Sequence, residues 1–530
     1  MQDLRWLVCR VATRRLEVCL RSTNGGDRKS PAERLDLAMF ETWTDAAGKE
    51  RYNLAVLAVF IATLMLFGGA SRADVFGQAV VRILSALVLF SSALQMDRAA
   101  LRQVAVPLIA VSALALIMLV QLIPLSPALW TALPGRDLFL DALAMAGVPL
   151  GWRPASITPD LTLNALLALL PAAAALSVMS VIPRPFYPAV LAMLLVAIAF
   201  SVLLGTLQVA TGGAYLYGIT NVGSAVGSFA NRNHSALFTA LALPILAGWI
   251  SLPSRHRRSN GIRGWVAICG AAVVFPVLLV TGSRGGLLLG ALGAIAGAVI
   301  VAGPGGMVRG KRRLVVLGIG VAVFAASTAV FLTFARDEAF QRLFASGDSS
   351  SETRVDLLPV FVRMIGDYFP FGSGFGSFEV VYRIYEPHEK LGPFYLNEAH
   401  NDLAQIAIEG GLAALLVVAG FALWVSVKFV SAWFVSSSPS VLLARVGGAV
   451  MILTAASSLF DYPLRTPLMA VVSGSTSRTF TIWLPSRLIS SRVVAVYCGV
   501  ASKVARTPSS SVNVTQARMS HFHRSAMLRY

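Results

Sequence analysis

Long apolar stretches recur along most of the chain and limit the folds that are open to it. Eleven of them have about the 20 residues that a helix needs to cross the hydrocarbon core of a bilayer. They lie at 52–70, 79–95, 104–124, 161–182, 187–211, 234–251, 265–282, 286–303, 314–334, 403–427 and 440–460. Only 13% of the residues are charged and the mean hydropathy is +0.71, whereas soluble domains are about 25% charged. The sequence therefore predicts an all-α polytopic membrane protein with about 11–12 transmembrane helices.

The basic residues predict the orientation of these spans. Residues 1–51 are polar, with ten Lys/Arg and eight Asp/Glu, and the first apolar stretch is full length, so we expect an uncleaved anchor and no signal peptide. With this segment in the cytoplasm, the short inner loops carry thirteen Lys/Arg and the short outer loops five. Short cytoplasmic loops are enriched in Lys and Arg. Spans 1–9 then occupy 52–334, the one large loop, 335–401, lies outside, and 402–460 holds spans 10 and 11.

The formal charge of +18 does not indicate nucleic-acid binding. Residues 462–530 carry nine Lys/Arg and no acid, and much of the remaining excess lies in the inner loops. The large loop has six Lys/Arg against ten Asp/Glu, so it offers no basic patch. The four cysteines are scattered, and none of them falls in the large loop. Neither a disulfide framework nor redox chemistry is therefore expected.

Residues 461–530 are interpreted as an atypical basic tail in place of an expected last helix. After Val472 the composition turns to Ser, Thr and Arg, and the moderately apolar stretch 480–501 contains Arg487 and Arg492. A central arginine costs about 2.5–3.5 kcal/mol on insertion scales, so this stretch is a poor span. We hypothesise that residues from about 473 on are not the native continuation, which detection of this tail by peptide mass in the natural protein would contradict.

The large loop contains a helical pattern followed by a glycine turn. In "RVDLLPVFVRMIGDYF", the apolar residues Leu357, Leu358, Phe361, Val362 and Ile365 recur at helical spacing. This predicts an amphipathic helix at the outer membrane–water boundary, with a small helix packed on the bundle as the alternative. The turn "PFGSGFGSF" has no strand before it, which a dinucleotide-binding fingerprint would need.

Arginines gather at the predicted outer ends of the spans. The motif "GSFANRNH" places Arg232 before the sixth span, "TGSRGG" places Arg284 in a tight turn, and Arg354 lies in the predicted amphipathic helix. Guanidinium groups bind phosphate oxygens in bidentate geometry, so these residues predict a phosphate-containing substrate. The alternative for Arg284 is a snorkelling helix anchor, and His234 is expected to be a neutral, hydrogen-bonded side chain.

The stretch "NEAHNDLAQIAIEGG" is the sharpest candidate for catalysis. His400 can exchange a proton near neutral pH, and the adjacent Glu398 or Asp402 can orient it or raise its basicity. Glu409 shares a helix face with Asp402, about two turns inside a span. A carboxylate at that depth is by default a candidate functional residue. The alternative is that it makes a buried structural hydrogen bond. A metal site is disfavoured, because the large loop holds two histidines and no cysteine.

The motifs together resemble the O-antigen ligase and polymerase superfamily of bacterial envelope glycosyltransferases. In chain order they are "QLIPLSPALWTALPG", "WRPASITPDLT", "GSFANRNHSA", "TGSRGG", "RVDLL", "FPFGSGFGSF", "EAHNDLAQIAIEGG" and "DYPLRTP", and they cover about 52–470. The resemblance implies roughly twelve spans in the bacterial inner membrane, a large periplasmic loop, and transfer without a metal or cofactor. The implied donor is a glycan on undecaprenyl diphosphate. A ligase passes it to lipid A-core sugar, whereas a polymerase adds repeat units to a growing polysaccharide.

The resemblance also implies roles for individual residues. His400 matches the loop histidine that acts as base or positions the acceptor, Arg232 and Arg284 match arginines that hold the diphosphate, and Arg354 matches an Arg-x-x-x-Leu motif. The catalytic candidates are His400, Glu398 and Asp402, and the substrate-binding candidates are Arg232, Arg284, Arg354, Asn401 and Glu409.

Two other classes of function stay open at this point. One is a transporter or permease for an envelope precursor, with His400 and Glu409 as a proton relay. Transporters often have repeated halves with broken midplane helices. The sequence contains no such repeat, and its polar groups gather at the predicted outer surface instead. The other is a non-catalytic envelope scaffold. Within the glycosyltransferase class, the motifs do not choose between ligase and polymerase.

Overall fold

The computed structural model describes residues 31–253, 257–303, 308, 318, 356–391, 396–435 and 438–481. The α-helices in these ranges are α1 Pro31–Phe67, α2 Phe76–Ala93, α3 Arg98–Gln121, α4 Pro127–Thr131, α5 Asp137–Met145, α6 Pro159–Leu167, α7 Leu170–Val181, α8 Tyr187–Thr211, α9 Arg232–Ala240, α10 Ala242–Ser251, α11 Arg257–Val280, α12 Arg284–Ala302, α13 Leu358–Tyr368, α14 Phe378–Tyr385, α15 Asp402–Trp433, α16 Pro439–Ser457 and α17 Pro467–Thr481. Short 3₁₀ helices lie at Arg184–Phe186, His388–Lys390 and Pro463–Arg465. The strands are β1 (Pro124–Leu125) and β2 (Arg153–Pro154), which pair antiparallel.

Ten helical segments of the described chain are long and apolar enough to cross a bilayer. They are Gly48–Phe67, Phe76–Ala93, Arg98–Gln121, Pro159–Val181, Arg184–Thr211, Arg232–Ser251, Gly261–Val280, Arg284–Ala302, Asp402–Trp433 and Pro439–Ser457. A helix pairs its own backbone polar groups, as the water-free core of a bilayer requires. The predicted class, an all-α polytopic membrane protein, is confirmed. All but one residue of the predicted span 314–334 lies outside the described residues.

A glycine stripe brings α12 against the pair α9–α10. A Cβ on Gly286 would lie 2.3 Å from the Cβ of Ala236, and one on Gly293 would lie 2.9 Å from the carbonyl oxygen of Ala240. Small residues at this spacing let two membrane helices approach backbone to backbone. The packing fixes the start of α12 beside the start of α9, which matters for the site described below.

The helix α15 is broken inside the bundle at Gly411, where φ is +60° and ψ is −153°. The glycine turn of the large loop fills the break. The N–H of Leu412 donates to the Pro370 carbonyl at 2.9 Å, and the N–H of Ser373 donates to the Ile408 carbonyl at 2.8 Å. The side chain of Gln121 donates to the carbonyl of Glu409 at 2.9 Å. Backbone groups freed at membrane depth must find partners within the protein, and here the turn and Gln121 supply them.

The helix predicted in the large loop is present as α13, but its buried stripe differs from the prediction. Leu357, Phe361, Met364 and Tyr368 are buried against α14 and the start of α15. Of the residues assigned to the apolar stripe, Leu358 and Val362 are 51% and 61% exposed. The stripe is rotated because α14 supplies an aromatic partner surface that periodicity alone does not reveal. In the structure this helix packs on the protein, as the second alternative expects, and its position relative to the membrane stays a prediction.

Within the described residues the predicted tail, 461–530, contains the helix α17, and its residues after 481 lie outside them. The helix α17 runs through "SGSTSRT", and Leu468, Met469 and Val471 are fully buried. Within this helix, Thr476 Oγ1 donates to the Val472 carbonyl of the preceding turn at 3.0 Å. All described residues belong to one compact unit, residues 1–482, and a second unit, 483–530, lies outside them. The proposed non-native continuation stays a prediction.

Candidate functional site at the helix starts

Three helices begin at one end of the bundle, and one short segment contacts all three starts. This segment, residues 458–466, joins α16 to α17 and is called the closing loop below. At the start of α9, Asn231 donates through its side-chain amide to Asp461 Oδ2 at 3.4 Å. At the start of α12, a Cβ on Gly285 would lie 2.4 Å from the Phe460 ring, so glycine allows this close approach. The contact with the start of α15 is made through a histidine.

His400 Nδ1 lies 3.2 Å from Asp461 Oδ1. The histidine side chain is 17% exposed and the aspartate is fully buried. His400 has a φ of +49°, in the left-handed region where non-glycine residues are uncommon, and it directly precedes the N-cap Asn401. Burial would raise the pKa of Asp461, but His234 and His400 hold it well below its usual range. An ionised Asp461 accepts a hydrogen bond from the Nδ1–H of His400, and in that tautomer Nε2 is the basic nitrogen.

A second histidine approaches the same carboxylate from the opposite side. His234, the third residue of α9, is 1% exposed, and its Nε2 lies 3.7 Å from Asp461 Oδ2. The ring of Tyr462 meets both histidine rings, with its centroid 5.0 Å from that of His234 and 4.9 Å from that of His400. Asp461 and Tyr462 of the closing loop thus separate the two imidazoles.

Arg465 of the closing loop is surrounded by three carboxylates. Its guanidinium lies 3.5 Å from Glu398, 3.4 Å from Asp402 and 3.3 Å from Glu409. Gln405 donates to Glu398, and also to Glu409 at 3.2 Å. Burial raises the pKa of Glu398 to about 7 against the opposing charge of Arg465. Burial would lower the pKa of Arg465, but the carboxylates raise it above its ordinary value.

The described contacts give Glu398, Asp402 and Glu409 structural partners. The prediction is that Glu398 or Asp402 orients His400; the structure pairs that ring with Asp461, and it pairs both Glu398 and Asp402 with Arg465. Glu409 has no exposed surface and shares the predicted helix face with Asp402. Its Oε1 accepts the N–H of Phe378 at 3.1 Å. A carboxylate so placed ties α14 and the closing loop to α15, the structural alternative raised for Glu409.

The predicted arginines begin two neighbouring helices. Arg232 is the first residue of α9 and Arg284 the first residue of α12, where it is exposed. The two helix starts are joined by a hydrogen bond from Ser283 Oγ to Asn233 Oδ1 at 2.7 Å. The N-terminus of a helix carries partial positive charge and unpaired N–H groups, which favour anions. Arg354 lies outside the described residues.

The side chain of Asn401 is used within the protein. Its Oδ1 caps α15 by accepting the N–H of Ala404 at 3.0 Å, and its Nδ2 donates to the Leu459 carbonyl at 3.1 Å. The first bond caps the helix, and the second holds its start against the closing loop. Among the described residues, no three His, Cys, Asp or Glu side chains are grouped as metal ligands.

Residue-level reasoning missed Asp461, Tyr462 and Arg465 as members of the site. They all belong to "DYPLRTP", a motif that carries the resemblance and for which the residues alone predict no chemical role. The available signal was an acidic and a basic residue, four positions apart, directly after an apolar span.

The fold and the site together define a polytopic all-α membrane protein with a histidine–aspartate pair and two arginines at one end of its bundle. Residues 269–419 match the family model described as O-antigen ligase. The matched range contains α12, the described helices of the large loop, His400 and the break in α15. This match confirms the resemblance to the O-antigen ligase and polymerase superfamily over these residues, and it supports a function in glycan assembly. No curated protein matches the sequence.

Proposed function

We propose that this protein is a glycosyltransferase that takes a glycan from an undecaprenyl-diphosphate carrier on the periplasmic side of the bacterial inner membrane. Its acceptor is lipid A-core sugar or a growing polysaccharide chain, and no metal or cofactor takes part. The observation that carries the proposal is the 3.2 Å contact between His400 Nδ1 and Asp461 Oδ1, at the end of the bundle where Arg232 and Arg284 begin their helices.

His400 is the general base in this proposal. Its Nε2 takes the proton of the acceptor hydroxyl, and the acceptor oxygen then forms a bond to the anomeric carbon of the donor. Asp461 holds the ring through Nδ1 and compensates the positive charge of the imidazolium that forms. General-base assistance of this kind typically contributes about 10²- to 10⁴-fold in rate.

The arginines hold the leaving group. The bond from the anomeric carbon to the diphosphate breaks as the new bond forms, and negative charge grows on the departing undecaprenyl diphosphate. Arg232 and Arg284, together with the N-termini of α9 and α12, are placed to neutralise that charge. Arg354 is proposed as a third cation for the same substrate. The apolar spans accommodate the polyprenyl chain.

Glu398 and Asp402 then act as positioning residues. Both bind Arg465, which lies four positions after Asp461 in the closing loop. Their ion pairs keep the closing loop beside the start of α15, and so keep Asp461 facing His400. Two further residues help to hold this arrangement. Asn401 caps α15, and Glu409 joins α15 to α14.

Complementation of a glycan-deficient bacterial strain tests the proposal. The wild-type chain is expected to restore surface glycan, and H400A and D461N are expected to abolish it at normal protein level. The matched control is H388A, which removes an exposed histidine of the same loop and is expected to retain full activity. Unchanged surface glycan in H400A at normal protein level would refute the catalytic proposal and favour a scaffold.

The same strains distinguish the two reactions of the superfamily. Products are resolved by size and tested for linkage to lipid A. If long polymer accumulates on the lipid carrier when the protein is inactive, the protein is a ligase. If only single repeat units remain on the carrier, it is a polymerase.

A further inference from the structure

We propose that His234 is a positioning residue for this reaction, acting through Asp461; the inference rests on the proposed function of His400. The two oxygens of Asp461 face different helices. Oδ1 lies 3.2 Å from His400 Nδ1, at the start of α15. Oδ2 lies 3.7 Å from His234 Nε2 and 3.4 Å from Asn231 Nδ2, at the start of α9. The residues at the start of α9 thus fix the carboxylate that orients the base.

The surroundings of His234 argue against packing as its sole role. The side chain is 1% exposed and meets the rings of Phe229 and Tyr462 edge to face, at centroid distances of 6.3 and 5.0 Å. Neither ring nitrogen has a hydrogen-bond partner within the described residues. Buried polar atoms without partners are costly, and a phenylalanine would fill an aromatic pocket without that cost. The polar feature facing an imidazole nitrogen at this position is Asp461 Oδ2.

The arrangement gives His234 a defined effect on His400. A 3.7 Å separation is longer than a hydrogen bond, so His234 acts on Oδ2 through its ring dipole or charge and through the Tyr462 ring that both histidines touch. Without it, Asn231 alone holds Oδ2, and the carboxylate is less firmly directed at His400. The rate of transfer should fall while the affinity for donor and acceptor does not change.

The experiment is a double-mutant cycle on the full-length protein in membranes. The donor is the lipid-linked glycan extracted from the complemented strain, and transfer is measured at graded donor concentration. H234F keeps an aromatic ring and is expected to lower kcat roughly tenfold or more, with KM unchanged. In the D461N background the same substitution is expected to change kcat by less than about threefold, because coupled residues are not additive. H234Q retains an N–H group and should recover part of the loss.

Several outcomes overturn the inference. Wild-type kcat in H234F would do so, and so would the same fold loss from H234F in both backgrounds, since an effect that does not act through Asp461 is additive with D461N. If transfer by D461N falls below detection, the test is the kcat of H234Q in the otherwise wild-type protein. A loss of kcat in H234Q equal to that in H234F contradicts the proposal. T239A, which alters a buried hydroxyl one turn further along α9, is the control and should retain wild-type kcat. Wild-type transfer by both D461N and H400A refutes the proposed function itself, a distinguishable result.

Discussion

Arg465 Nη2 lies 3.3 Å from Glu409 Oε2, although the two residues are 56 positions apart in the chain. The pair joins the closing loop to a buried carboxylate two turns inside α15. A parallel contact, between His400 and Asp461, joins the same two elements at their outer rim. The deeper pair therefore sets the register in which the proposed base meets its aspartate.

Loss of Arg465 should destabilise the protein strongly. The R465A variant leaves Glu398, Asp402 and Glu409 without their shared cation, and a buried ion pair that loses one partner costs about 3–5 kcal/mol. We expect the apparent Tm in detergent to fall by several degrees, together with loss of surface glycan. R465K should fall between the wild-type protein and R465A, because an ammonium group cannot bind three carboxylates with a planar fork.

The matched variant E409Q keeps the shape of the side chain and removes only its charge. Its amide oxygen can still accept the N–H of Phe378, so a smaller fall in apparent Tm is expected than in R465A. An R465A protein as stable as the wild type would show that the closing loop is held by its apolar contacts alone.

The raised pKa of Glu398 predicts a pH-dependent stability. The pKa of Glu398 is about 7 in the folded protein, above its ordinary value of 4.5, so folding favours the neutral carboxyl. Its contribution to stability is fully present below about pH 4.5 and is lost as the pH rises through about 7. The apparent Tm of the wild type should therefore fall between about pH 4.5 and about pH 7, and E398Q should show a shallower fall over the same range. Identical pH profiles for the two proteins would contradict this assignment.

The break in α15 gives a sharp comparison between two glycines of one helix. Gly411 has a φ of +60°, and a Cβ there would lie 2.1 Å from the Pro370 carbonyl oxygen. Gly420 has no atom within 4 Å of the position its Cβ would occupy. G411A should lose folded protein and surface glycan, whereas G420A should be as stable as the wild type or up to about 1 kcal/mol more stable. Thermal unfolding of both variants in detergent measures the difference, and equal stability would exclude a required break.

The sequence predicts the chain's fold class, and it contains local signals for one half of the candidate site. Apolar runs of bilayer length can be recognised within a short stretch of sequence, and so can the motifs around Arg232, Arg284 and His400. The other half depends on contacts between distant segments. Asp461 is 61 positions from His400, and nothing in the neighbouring residues shows that they meet. The nearby carboxylates were the expected partners, but Arg465 binds them instead.

The break in α15 was hidden for the same kind of reason. The apolar run 403–427 predicts one continuous span, and two adjacent glycines do not by themselves indicate a kink. The break exists because the turn around Gly372 and Gly374 enters from the large loop and bonds the freed carbonyls of α15. Only the fold brings that turn to the helix. The predicted buried stripe of α13 differs from the observed one for a similar reason. Helical periodicity within α13 does not show that α14 packs against it.

Arg284 and His400 should differ in how their loss affects transfer. Arg284 is proposed to bind the donor diphosphate before and during reaction, whereas His400 takes a proton only as the new bond forms. R284A should raise the donor KM roughly tenfold or more, and R284K should raise it less because its charge is kept. H400A should lower kcat at every donor concentration. The control R263A removes an arginine that stacks on Trp249 at 5.0 Å and should leave both constants unchanged. Initial rates on the extracted lipid-linked glycan test this. An unaltered donor KM in R284A would contradict a role in donor binding and would favour the alternative that Arg284 anchors the helix end.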